Sequence, residues 1–123
     1  MKILSKPMER RRHKRFAVIG SPIAMMSPGP SIPGKVTCIS PESVEIVYDQ
    51  INGTKLTETD ELGILAADFV RPIYLEGLPV KVISDRADCG FRNRKARKRV
   101  LAFNRMTADQ RNQLQSFIYS FAF

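Results

Sequence analysis

One stretch of this chain repeats at helical spacing, and it is the last. Leu114, Phe117, Ile118 and Phe121 fall at i, i+3, i+4 and i+7, which is one apolar face of a helix. Thr107-Ala108-Asp109-Gln110 precedes them as a capping box, with Thr at the N-cap and Gln three residues on. Upstream, the apolar residues come in short runs broken by proline, glycine and polar turns. A chain patterned this way must build a sheet first and add one helix at the end.

The short runs read as strands. Phe16-Ala17-Val18-Ile19 starts an apolar stretch that resumes at Ile23-Ala24-Met25-Met26 after a break at Gly20-Ser21-Pro22. Residues 27–34 carry three prolines, which remove donors and fix φ, so they form a loop. Lys35 to Ile39 and Val44 to Tyr48 flank Ser40-Pro41-Glu42-Ser43. That tetrapeptide has Ser and Pro where a type I turn prefers them, so the three pieces predict a hairpin. Glu61 to Ala66 and Ile73 to Leu75 read as a further pair of strands, and Leu78 to Asp85 as another, by its alternation and β-branched content. Residues 86–95 read as a charged loop and Arg99 to Phe103 as the last strand. Five or six strands and a terminal helix predict an all-β protein, a closed antiparallel barrel with a C-terminal helix on its side. Residues 1–15 read as a flexible basic leader, 16–123 as the domain, and 107–121 as its helix.

At 123 residues the chain holds one domain with room for a core. No apolar run nears the ~18–20 residues that cross a bilayer, and residues 1–8 offer no signal-peptide h-region, which points to the cytoplasm. Cys38 and Cys89 are far apart and read as thiols, not as a disulfide framework. His13 stands among cations with nothing to complete a metal shell or a nucleophile's triad, and no Gly-rich phosphate loop occurs. The residues therefore point to no catalytic, metal or cofactor site, and to a binding protein instead of an enzyme.

Charge is concentrated. The net charge of +8 comes from two runs: residues 9–15 hold five Lys/Arg against one Glu, and residues 92–99 hold six against none. The rest is slightly acidic, nine cations against eleven acids. Two basic patches on a near-neutral body indicate a localised anion site. In the first, Arg11-x-x-x-Arg15 places two planar guanidinium forks on one short segment, each able to hold phosphate oxygens in two bonds and to stack on a base. A solvated basic tail fits the same charges. A nucleic-acid-binding surface is the least favoured reading, since no aromatic platform is interleaved with the cations.

The order of these pieces resembles the PilZ domain family over most of the chain. That family carries Glu-Arg-Arg-x-x-x-Arg just before its first strand, and Glu9-Arg10-Arg11-x-x-x-Arg15 matches it. Its second motif, Asp/Asn-x-Ser-x-x-Gly, falls on Cys38-Ile39-Ser40-Pro41-Glu42-Ser43. The close is similar too: a basic strand ending at Phe103, then Met106 to Arg111, then the helix. The resemblance implies a six-stranded barrel that binds cyclic di-GMP, as a signalling ligand and not a cofactor, and relays the signal to a protein partner. Carried over, Arg11 and Arg15 would clamp phosphates and stack on guanines, Arg10 would assist, and Ser40 would offer its hydroxyl. A leader that orders around the ligand would make the switch.

The second motif departs from the family at both ends. Cys38 stands for Asp/Asn, and a thiol cannot pair with a guanine edge as a carboxylate does. Losing one charge-assisted bond of ~1.5–3 kcal/mol weakens binding roughly ten- to a hundred-fold. Ser43 stands for Gly, which matters where φ > 0 or a close approach is required. The alternative is therefore a degenerate PilZ-like adaptor that has lost cyclic di-GMP and acts through protein contacts, as monomer or homodimer.

Overall fold

The structure is a computed structural model that describes residues 16–17, 20, 22–28, 33–49, 58–67, 72–87 and 96–121. Its elements run β1 (Phe16–Ala17), β2 (Ile23–Ser27), β3 (Gly34–Ile39), β4 (Ser43–Asp49), β5 (Glu61–Ala67), β6 (Pro72–Ala87), β7 (Ala96–Phe103) and α1 (Ala108–Phe121). All pairings are antiparallel. The order β3-β2-β5-β6-β7-β4 closes on itself through the β3–β4 pair, so six strands form a barrel and β1 adds to the side of β3. Closure satisfies both edges of every barrel strand with backbone partners, which an open sheet cannot do.

Alternation sets the inside. Ala24 and Met26, Val44, Ile46 and Tyr48, and Leu62, Ile64 and Ala66 are all buried, at every second position of β2, β4 and β5. The predicted hairpin is present, with Val36 opposite Ile46 and Ile39 opposite Val44. The predicted capping box is present too. Thr107 N–H donates to Gln110 Oε1 at 2.9 Å, and Gln110 N–H donates to Thr107 Oγ1 at 3.1 Å. Leu114, Phe117 and Phe121 bury against the barrel core and Ile118 packs beside them, so the apolar face of the helix completes the core. Phe117 and Phe121 stack with ring centroids 5.1 Å apart.

Two strand boundaries differ from the sequence reading. Residues 72–87 are a single strand of 16 residues, where the sequence suggested two. It bends at Gly77, whose φ of +65° favours glycine and whose carbonyl accepts Gln110 Nε2 at 3.0 Å. The last strand starts at Ala96, three residues before the predicted Arg99, so three cations of the second basic run belong to the barrel wall. The leader with Arg10, Arg11 and Arg15 lies outside the described residues, as do Cys89 and most of residues 86–95. No described helix is long and apolar enough to cross a membrane.

Candidate functional site

The second motif forms the tip of the β3–β4 hairpin. Ser40 is 2% exposed, and its Oγ accepts the backbone N–H of Glu42 at 3.1 Å and of Ser43 at 3.0 Å. Its own N–H donates to the Ser43 carbonyl at 2.8 Å. Ser43 Oγ lies 3.4 Å from Ser40 Oγ. The turn thus forms around one side-chain oxygen, the mechanism by which Ser stabilises turns. Phe103 N–H donates to the Glu42 carbonyl at 2.9 Å and ties the tip to the end of β7. Cys38 is a half-buried thiol on β3, next to a register shift between Val36 and Cys38.

β1 connects this tip to the leader. Phe16 pairs with Ile39 and Ala17 with Cys38. Arg15 is one peptide bond from Phe16, and Ser40 is one peptide bond from Ile39. Both motifs are therefore tethered to the same cross-strand pair, at the same end of β3.

The second basic run behaves differently. Arg97 and Arg99 sit opposite the inward residues Tyr48 and Ile46 of β4, and Arg99 is 1% exposed. Asp85 of β6 holds both. Arg97 Nε donates to Asp85 Oδ1, and Arg99 Nε donates to Asp85 Oδ2 at 2.7 Å. Tyr48 Oη donates to the same Oδ2. Arg99 completes its shell with Thr59 Oγ1 at 2.7 Å and Tyr48 Oη at 3.2 Å, and its guanidinium lies 5.3 Å from the Tyr48 ring centroid. This is how a buried cation is normally tolerated, with each of its three nitrogens aimed at an acceptor. Two of the six cations of the run are committed to one carboxylate inside the molecule. Lys98, the third described cation of the run, lies 4.0 Å from Glu45 Oε1.

The ionisation of the cluster follows from its contacts. Burial acts to raise the Asp85 pKa, but hydrogen bonds from Tyr48, Arg97 and Arg99 outweigh it and hold the carboxyl below its ordinary value. Burial, aided by the bond to Asp85, pushes Tyr48 up to about 12. The hydrogen bond to Asp85 raises Arg97 further. At neutral pH the group is one carboxylate, two guanidiniums and a neutral phenol. Sequence reading missed Asp85, Tyr48 and Thr59 as a set. The signal was there in β7, where Arg97 and Arg99 share the phase of the core residue Leu101. A charge in core phase requires a buried counter-ion.

No protein-family model matches the chain, and no curated protein matches it. Solved structures do. The crystal structure of YcgR from Escherichia coli in complex with c-di-GMP aligns with a TM-score of 0.63 at 11% identity, over 91% of this chain and 46% of that one. The structure of the Bacillus subtilis inhibitor of motility, MotI/DgrA, aligns with a TM-score of 0.60 at 18% identity, over 94% of this chain and 53% of that one. The chain spans about half the length of these structures. The fold is the PilZ-like barrel with a C-terminal helix.

Proposed function

We propose that this chain is a cyclic di-GMP receptor that relays the signal to a protein partner by ordering its N-terminal leader. The observation that supports it is the β1–β3 pair. It pairs Phe16, which follows Arg15 in the chain, with Ile39 inside the second motif. Arg11 and Arg15 are assigned the phosphates and guanine faces, Arg10 an assisting charge, and Ser40 and Ser43 the polar edge of the hairpin, with Cys38 beside it. The similar structure of YcgR contains c-di-GMP. The reading describes a binding protein with no catalytic step.

A second reading has its own support. Ser40 Oγ already accepts two backbone amides within the turn, so the hairpin is complete without a ligand. With Cys38 in place of a strong acceptor, the same barrel would serve as an adaptor acting through protein contacts. Calorimetric titration of cyclic di-GMP into wild type and Arg11→Ala/Arg15→Ala separates the two. The receptor reading expects binding of about −8 kcal/mol or better, lost in the double variant. Absence of heat with both folded proteins overturns it in favour of the adaptor.

A further inference from the structure

The barrel has an outer face that alternation leaves unexplained. On β2, the inward positions are Ala24 and Met26, yet the outward ones are Ile23 and Met25, 42% and 45% exposed. A row of apolar residues on the solvent side of a strand is the kind of patch that marks a contact surface. Across the strands the register continues the row: Ile23 pairs with Leu65 of β5, Leu65 pairs with Tyr74 of β6, and Met25 pairs with Gly63. Leu65 is 40% and Tyr74 49% exposed. Gly63 leaves a shallow pocket of about 300 Å³, bordered by Met25, Glu61, Tyr74 and Glu76.

The margins of this face carry opposite charges on opposite sides. Lys35 of β3 pairs with Ile23 at one side, and Glu61 and Glu76 stand exposed on β5 and β6 at the other. Among the described residues none of the three makes an ion pair. A partner of uniform charge would complement one margin and oppose the other. A second copy presents the same two signs, and a two-fold axis lying in the contact plane reverses their order.

We propose that this face is the contact between two copies of the chain. Ile23, Met25, Leu65 and Tyr74 meet at its centre, and Lys35 of each copy faces Glu76 of the other. Four strands at about 4.8 Å spacing make the face only about 14 Å wide. Over a typical strand length of about 20 Å that is roughly 300 Å², small beside the ~800 Å² per partner of standard interfaces, so the association is weak and protein concentrations up to roughly 1 mM are needed to populate it.

Sedimentation equilibrium of the full chain across that concentration range, at low salt, tests this. The weight-average mass should rise from 13.9 kDa toward twice that value. Leu65→Glu, at an outward position, should weaken association at least about tenfold. Lys35→Glu and Glu76→Lys should each weaken it, and the double reversal should restore it, a rescue that misfolding cannot mimic. A monomer throughout overturns the proposal, as does a dimer indifferent to Leu65→Glu and to charge reversal. A monomer that dimerises through this face only when residues 1–15 are removed would make the leader the occupant, which overturns it too.

Discussion

Ser40 and Arg99 are both polar side chains with almost no exposure, 2% and 1%; Ser40 flanks one end of the β4–β7 pair and Arg99 sits at its middle, opposite Ile46. Ser40 is neutral and finds its partners within three residues, so the hairpin that needs it also supplies them. Arg99 is charged and finds its oxygen acceptors on three other segments, at Tyr48, Thr59 and Asp85. The first is a local device that folds with its own turn. The second exists only once the barrel closes, and its stabilisation is conditional on every member being present.

Removing the shared counter-ion should expose that difference most strongly. Asp85→Ala leaves Arg99 buried without its carboxylate and deprives Arg97 and Tyr48 of their common acceptor. Breaking a buried pair from one side costs about 3–5 kcal/mol, which urea unfolding should register as a lower midpoint. A loss no greater than that of a turn variant would break the comparison.

Acid should reproduce part of this loss in the wild type. The folded-state pKa of Asp85 lies below its ordinary value, so the unfolded chain takes up a proton at higher pH than the folded one. The stabilisation is complete above the unfolded pKa of about 4 and is lost as pH falls through the lower folded value. Melts from about pH 7 to pH 3 should show a steeper loss in wild type than in Asp85→Asn, which has no carboxylate to titrate. Equal slopes would place the acid sensitivity elsewhere.

The same contrast decides what could be read from the sequence. The Ser40-Pro41 turn, the Thr107–Gln110 box and the face of Leu114, Phe117 and Phe121 are interactions between near neighbours, and spacing alone revealed them. The Asp85–Arg99 bond spans 14 positions and the Thr59–Arg99 bond 40, and no local period links such residues. Counting charge merged Arg97 and Arg99 with the other cations of residues 92–99 into one patch, though their phase with Leu101 places them toward the core. The length of β6 is hidden for a related reason, since its buried phase slips between Leu75 and Leu78. Gly77, with φ of +65°, lies in that slip and lets one long strand continue past the irregularity in its pairing with β5. Of the candidate site, the hairpin residues Cys38, Ser40 and Ser43 are described, while Arg10, Arg11 and Arg15 are known only as chain joined to Phe16.

Ser40→Ala removes a neutral acceptor and leaves the amides of Glu42 and Ser43 without it inside the turn. The expected loss is about 1–3 kcal/mol, the cost of leaving two partly buried amides without their acceptor, and it should not vary between about pH 7 and pH 3. A pH-dependent loss would mean that the hairpin tip couples to a titrating group.

Thr107→Ala should have the smallest effect, because it isolates geometry from burial. Its hydrogen bond to the Gln110 amide, 3.1 Å long, resembles those at Ser40, but this bond is open to solvent. When the hydroxyl is removed, water can reach the Gln110 amide, and Gln110 Oε1 keeps the Thr107-position N–H as a donor. The expected loss is about 1 kcal/mol, typical of an N-cap. A loss matching that of Ser40→Ala would show that local hydrogen-bond geometry, and not exclusion of water, sets the cost at both sites.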